Sequence, residues 1–103
     1  MNRNEEAIRD YNLALIYQPQ KALQIITNRY TLFLITGQYK NAIQDLDYLI
    51  SVDRNNLIFY YNRALAKQQL NDTEGAVSDI KKALQLNSDD QLSKIQLIKL
   101  TSQ

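Results

Sequence analysis

The chain contains no cysteine and no histidine. Their absence excludes thiol nucleophiles, disulfides and Cys/His zinc sites, and it removes the usual general base of a serine or cysteine triad. It leaves the compartment open, because a chain without thiols suits reducing and oxidising surroundings equally. Two glycines and one proline in 103 residues leave little to interrupt helices. Neither sign of charge is in excess: the formal net charge is +1, so no long-range field favours DNA, RNA or an acidic membrane. No apolar run approaches the about 20 residues of a membrane span, and the amino terminus lacks a signal-peptide core. Asn and Gln are frequent but scattered between apolar positions, so they do not form a low-complexity tract. The expectation is a single all-α domain over residues 1–103.

What is present is a repeat. Ala7-Ile8-Arg9-Asp10, Ala42-Ile43-Gln44-Asp45 and Ala76-Val77-Ser78-Asp79 align at spacings of 35 and then 34 residues. Asn28-Arg29 and Asn62-Arg63 lie 34 residues apart and confirm the period independently. Ala14, Leu49 and Ala83 share one column, and Leu15, Ile50 and Leu84 share the next.

Turn and cap signals divide each period into two helices. Asn4 is placed to cap a first helix that opens with Glu5 and Glu6, and Pro19 stops it. A second helix is expected from Lys21 to Thr36, with Gly37 in the left-handed position after its end. A third runs from Tyr39 to Val52. Asn55 or Asn56 caps the fourth, which ends near Leu70-Asn71, and Asp72 caps the fifth, which closes at Leu86-Asn87. Ser88 with Gln91 fits a capping box for a sixth through Leu100. Such short connections require antiparallel neighbours. The apolar stripes are Leu23, Ile26, Tyr30 and Phe33 on the second helix and Ala42, Leu46, Leu49 and Ile50 on the third. In the next hairpin Tyr60 and Ala64 face Ala76, Ile80, Ala83 and Leu84. No single hairpin can bury these stripes, so stability must come from stacking.

Leu57 to Asp90 resembles a tetratricopeptide repeat. The residues that carry the likeness are Tyr60, Asn62-Arg63-Ala64, Leu70-Asn71-Asp72, Glu74-Gly75-Ala76-Val77 and Lys82-Ala83-Leu84-Gln85-Leu86. Leu23 to Asn56 is a more divergent copy, with Gly37, Tyr39, Ala42 and Ile43 in the expected places. Residues 4–18 resemble the second helix of a partial copy through Tyr11, Ala14 and Pro19, and 91–103 resemble the solvating helix that closes such arrays. The chain departs from the family pattern at several positions. Tyr30 stands where Gly or Ala is preferred, so its hairpin is expected to open around the ring. Lys67 and Ile80 replace common aromatics, and Ser88 replaces a turn proline. Pentatricopeptide RNA readers share the period, but near-neutral charge argues against them. The resemblance implies a right-handed α-solenoid of stacked antiparallel hairpins, non-catalytic and without cofactor, that binds a protein or peptide.

In that family the first helices line a concave groove. Its geometry implies a groove of Gln24, Thr27, Asn28, Thr31 and Leu34, then Ile58, Tyr61, Asn62, Leu65 and Gln68, then Leu92, Ile95, Gln96 and Lys99. Asn28 and Asn62 would bond an extended peptide's backbone, and Leu34, Tyr61 and Leu65 would give it apolar contact. The plainer alternative is a solvated helix face with scattered apolar residues. Family members that clamp a terminal carboxylate use two Lys, two Asn and an Arg. Asn62 fits one of these positions, but Thr27, Thr31, Leu92 and Gln96 occupy others, which speaks against such a clamp.

Arg29 and Arg63 recur at the repeat period, as do Asp10, Asp45 and Asp79. They read either as an anion-binding ladder or, since both columns repeat together, as structural pairs between helices. Carboxylates such as Asp10, Glu74 and Asp79 sit singly, and no phosphate loop or metal motif is present, so catalysis has no visible machinery. The competing readings are a structural or oligomerisation segment of a longer array, or a regulatory fragment of a larger protein. The first of these draws on the amino-terminal helix. It begins in mid-repeat, so Tyr11 and Ala14 are expected to face an empty side and offer a surface for self-association.

The tight spacing implied at Ala76 makes a first prediction. Ala76→Leu should cost on the order of 1–3 kcal/mol by overpacking, whereas Gln68→Ala, read as an exposed amide, should stay within about 0.5 kcal/mol. Denaturant midpoints measure both.

Overall fold

The computed structural model describes residues 3–102; residues 1, 2 and 103, the ends of the expected domain, lie outside that range. Six α-helices follow one another: α1 Arg3–Tyr17, α2 Ala22–Ile35, α3 Tyr39–Val52, α4 Leu57–Gln69, α5 Thr73–Leu86 and α6 Gln91–Thr101. A 3₁₀ turn, Pro19–Lys21, separates α1 from α2, and no strand occurs among the described residues. Each helix packs on the next in chain order, α1 on α2 through α5 on α6. The result is an all-α repeat solenoid measuring 43 × 28 × 19 Å.

Local chemistry accounts for the helix ends. Gly37 at φ 76° is the left-handed residue after α2, and the following Gln38 N–H reaches back to the Phe33 carbonyl at 2.8 Å. One period later Asn71 adopts φ 64° after α4, and the Asp72 N–H donates to the Lys67 carbonyl at 2.9 Å. Asparagine therefore performs the turn that glycine performs in the preceding copy. Asn56 caps α4 by accepting from the Ile58 N–H, and Asp72 caps α5 by accepting from the Gly75 N–H. Two expected caps are corrected. Asn4 lies inside α1, which already includes Arg3. The cap of α6 is Asp90 rather than Ser88, because its carboxylate accepts from both the Ser93 N–H at 3.0 Å and the Ser93 hydroxyl at 2.6 Å. Ser88 is left in the turn.

The core is three clusters spaced along the solenoid. Ile8, Phe33 and Ala42 form the first, Ile26, Tyr30, Leu46, Leu49 and Phe59 the second, and Ala64, Ala76, Ile80 and Leu100 the third. Leu23 does not join the stripe expected on α2. It is 48% exposed, and Ile25 is buried in its place. At about 100° per residue, the buried arc of α2 is centred between Ile25 and Tyr30, which leaves Leu23 on the arc's edge. Ala42, Ala64 and Ala76 are completely buried at the close helix approaches. Tyr30 occupies the column of Ala64, and α2 and α3 approach closely over less of their length than α4 and α5 do.

The arginine and aspartate columns pair, as the structural reading of them requires. Arg29 Nε donates to Asp45 Oδ2 at 2.9 Å and its Nη2 to Oδ1 at 2.5 Å, while Nη1 donates to Asn12 Oδ1 at 3.0 Å. Arg63 Nε and Nη2 hold Asp79 at 2.8 and 2.7 Å, and Nη1 donates to Asp47 at 2.8 Å. Each arginine thus starts on a first helix and fastens the second helices on both sides of it. Hydrogen bonding to Asp79, set against the opposing cost of partial burial, holds the Arg63 guanidinium well above its ordinary range. Lys67, where the family prefers an aromatic, adds a second cation to Asp79 at 3.0 Å.

Asp45 and Asp79 are both buried, and among the described residues only Asp79 has that second cation. Removing one partner of a buried pair costs about 3–5 kcal/mol because the other charge is stranded. Arg29→Met should reach that range, and Arg63→Met should lose measurably less despite having more ion pairs to break. Urea unfolding of the two variants gives the comparison.

Candidate functional site

A helix repeats its faces every 3.6 residues, and these hairpins repeat every 34. Gln24, Ile58 and Leu92 therefore occupy the same place on α2, α4 and α6. The same holds for Thr27, Tyr61 and Ile95, for Asn28, Asn62 and Gln96, and for Thr31, Leu65 and Lys99. This face turns away from the stripe that packs on the second helices.

The structure distributes these side chains unevenly. Gln24, Asn28 and Thr31 are exposed on α2, while Thr27 and Leu34 are half-buried. The Thr27 hydroxyl donates to the Leu23 carbonyl at 2.6 Å and the Thr31 hydroxyl to the Thr27 carbonyl at 3.3 Å, so both turn back onto their own helix. Leu34 packs against the central cluster, and Tyr61 packs against the third. Along α4 and α6 the exposed assigned residues are apolar apart from Lys99: Ile58 is 60%, Leu92 62% and Ile95 48% accessible. Leu65 is half-buried beside them and Lys99 is exposed.

Two of the amides are already engaged. The Asn62 amide donates to the Tyr30 hydroxyl at 3.0 Å, across 32 residues of sequence. Tyr30 is itself buried, edge-on to Phe59 with ring centroids 6.2 Å apart. The buried ring thus becomes a tie from α2 to α4. Gln96 is buried and its amide donates to the Gln68 side-chain oxygen. That contact revises the exposed-amide expectation for Gln68. Gln68→Ala would strand a buried amide and cost about 1–3 kcal/mol instead of a few tenths. Sequence columns contained a signal for these ties, since Asn62 and Gln96 share one column and Tyr30 breaks another.

Asp45 and Asp79 are neutralised by arginine, and no group of three His, Cys, Asp or Glu is placed to hold a metal among the described residues. No described helix is long and apolar enough to cross a membrane. A cleft of about 850 Å³ lies elsewhere, between α5 and the end of α6, with Glu74, Val77, Lys81 and Leu100 in its lining.

An array of stacked hairpins tied by an arginine ladder, with one face built from its first helices, is a helical-repeat solenoid by fold. Residues 58–90 match the family model of the tetratricopeptide repeat. No curated protein matches it by sequence. Among solved structures, it is similar to residues 41 to the end of MamA from Desulfovibrio magneticus RS-1, with TM-score 0.88 and 18% identity. That match covers 96% of this chain, which spans 55% of the MamA chain's length. The first TPR of Spaghetti (RPAP3) bound to HSP90 peptide SRMEEVD superposes with TM-score 0.83 at 22% identity, covering 97% and 79% of the two chains. The Arabidopsis OM64 TPR domain gives TM-score 0.82 at 24% identity, covering 97% and 82%. At these identities the likeness is one of fold.

The Tyr30 tie generates a prediction. Tyr30→Phe keeps the ring and removes the acceptor of the half-buried Asn62 amide, which should cost about 1 kcal/mol. Adding Asn62→Leu to Tyr30→Phe should cost less than the two single losses summed, and a double-mutant cycle in urea tests this.

Proposed function

We propose that the chain is a non-catalytic protein-binding module that takes an extended segment of a partner protein along the face of α2, α4 and α6. The observation that carries this reading is the run of exposed Ile58, Leu92 and Ile95 on adjacent first helices, backed by half-buried Tyr61 and Leu65. Apolar side chains left exposed in neighbouring positions mark a surface that gains by being covered. The free amides of Gln24 and Asn28 continue that face on α2 and suit the backbone of an extended chain. A tetratricopeptide neighbour of the same overall shape is bound to a peptide, which supports the use of such a face for peptide capture.

The chemistry of this face differs from that of a carboxylate clamp. Thr27, Thr31, Leu92 and Gln96 supply no cation, Asn62 is held by Tyr30, and Lys99 is the one cation among the assigned positions. The fitting partner is an internal segment carrying spaced apolar residues, not an acidic tail.

Selection of peptides from a random library on the whole chain tests this. The selected sequences should share apolar positions, and Ile58→Asp and Ile95→Asp should each weaken their binding about tenfold, roughly 1.4 kcal/mol, by calorimetry. Both exposed substitutions should leave the melting temperature nearly unchanged. Peptides that bind these variants as tightly as the parent, or that depend on an acidic carboxyl terminus, would sink the assignment.

A further inference from the structure

Charge is distributed unequally between the two kinds of helix. Lys, Arg, Asp and Glu make up 22% of the chain, yet α2, α4 and α6 contain no aspartate or glutamate. Their ladder cations are neutralised from neighbouring helices, Arg29 by Asp45, Arg63 by Asp47 and Asp79, and Lys67 by Asp79. No exposed residue of α2 or α4 carries a charge, and Lys99 on α6 is the one charge among the positions assigned to the binding face. The second helices are built differently, with Glu6, Arg9, Lys40, Asp47, Glu74 and Lys81 all exposed on them. Glutamate and lysine are good helix formers and suit a solvated surface, so their exclusion from the exposed side of α2 and α4 sets that side apart. Both helices are flanked by others on either side, so the contrast owes nothing to the ends of the chain. In place of charge the face carries amides. Gln24 and Asn28 are exposed, and the Gln96 amide, which donates to the Gln68 side-chain oxygen, shows how such a group is met within the same face.

We infer that the segment taken by this face is itself uncharged and carries Asn or Gln among its aliphatic side chains, its amides pairing with Gln24 and Asn28 as Gln96 pairs with Gln68. The inference rests on the peptide-face reading and adds the chemistry of the occupant. A carboxylate or ammonium laid against α2 or α4 would give up its water with no opposite charge to receive it, because the ladder groups are already paired. An amide side chain has a donor and an acceptor to match those of Gln24 and Asn28 and carries no such penalty. The face thus rejects segments of either sign by desolvation, which is selection against wrong partners. Attraction comes from the exposed Ile58, Leu92 and Ile95.

Peptides selected from the random library on the intact chain supply the probe. Relative to the library they should be depleted in Asp, Glu, Lys and Arg alike and enriched in Asn and Gln. Their Kd should hold steady from low salt to ~0.5 M sodium chloride, conditions under which an exposed ionic contact weakens. Replacing one of their Asn or Gln residues by Glu or by Lys should weaken binding roughly tenfold in either case. Gln24→Ala with Asn28→Ala in the protein should weaken it roughly threefold, and that loss should vanish for a peptide whose own amides are replaced by alanine. A selected pool rich in charge of either sign, an affinity that falls with salt, or a loss that persists on the alanine peptide would overturn the inference. In each of those cases, binding that still requires Ile58 and Ile95 leaves the peptide-face reading standing. A selection that yields no binder, or binders indifferent to Ile58→Asp and Ile95→Asp, would sink both.

Discussion

A carboxylate placed inside a helical hairpin has to be neutralised there, and much of this architecture follows from how that is done. Asp45 and Asp79 sit where the second helix of each repeat meets the first, shielded from water. Arginine suits the position because its planar fork delivers two parallel hydrogen bonds to one carboxylate and still has a third direction to use. Arg29 spends that direction on Asn12 and Arg63 on Asp47, both on the preceding second helix. One side chain therefore fixes the angle within a hairpin and the stacking between hairpins together. An isolated surface ion pair contributes little to stability. These pairs differ in being partly buried and in repeating, and they set register as well as energy.

The hairpin containing Tyr30 shows how an array tolerates a residue of the wrong size. Ala64 of α4 is completely buried against Ala76 and Ile80 of α5. The tyrosine in the same column is buried with Leu46 and Leu49 of α3, lies edge-on to Phe59, and its hydroxyl meets Asn62. The consequence reaches the candidate binding face. An amide at the period expected of a ligand contact becomes a structural tie, and the Gln68–Gln96 pair does the same between α4 and α6. What remains for a partner is chiefly apolar, which shifts the chemistry of the face away from charge recognition.

Stacked repeats also supply an internal standard, because each column is seen in more than one setting. Burial of Ala42, Leu46 and Leu49 under α2 gives the environment for which Ala7, Tyr11 and Ala14 are matched. Local sequence on α1 is thus consistent with a neighbour on that side, in the sense that each level of pattern agrees on the same contact.

Helix number, the period, the turns at Gly37 and Asn71 to Asp72, the close approaches at Ala42, Ala64 and Ala76, and the pairing of arginine with aspartate were all legible in the sequence. Each depends on hydrogen bonds or burial within a few turns, or on a column repeated in phase, and such signals survive without coordinates. The sixth helix cap was misread because Ser88 and Asp90 both satisfy local rules, and only the position of Ser93 decides between them. Leu23 was misplaced because its neighbour Ile25 lies on the arc that the adjoining helices cover. Sequence determined which faces of the first helices point away from the core. Tertiary structure alone decided which of those side chains are free, since the ties from Tyr30 to Asn62 and from Gln68 to Gln96 join residues 32 and 28 apart. Those distances are set by the angle at which one hairpin settles on the next, and packing of whole helices, not local propensity, fixes that angle.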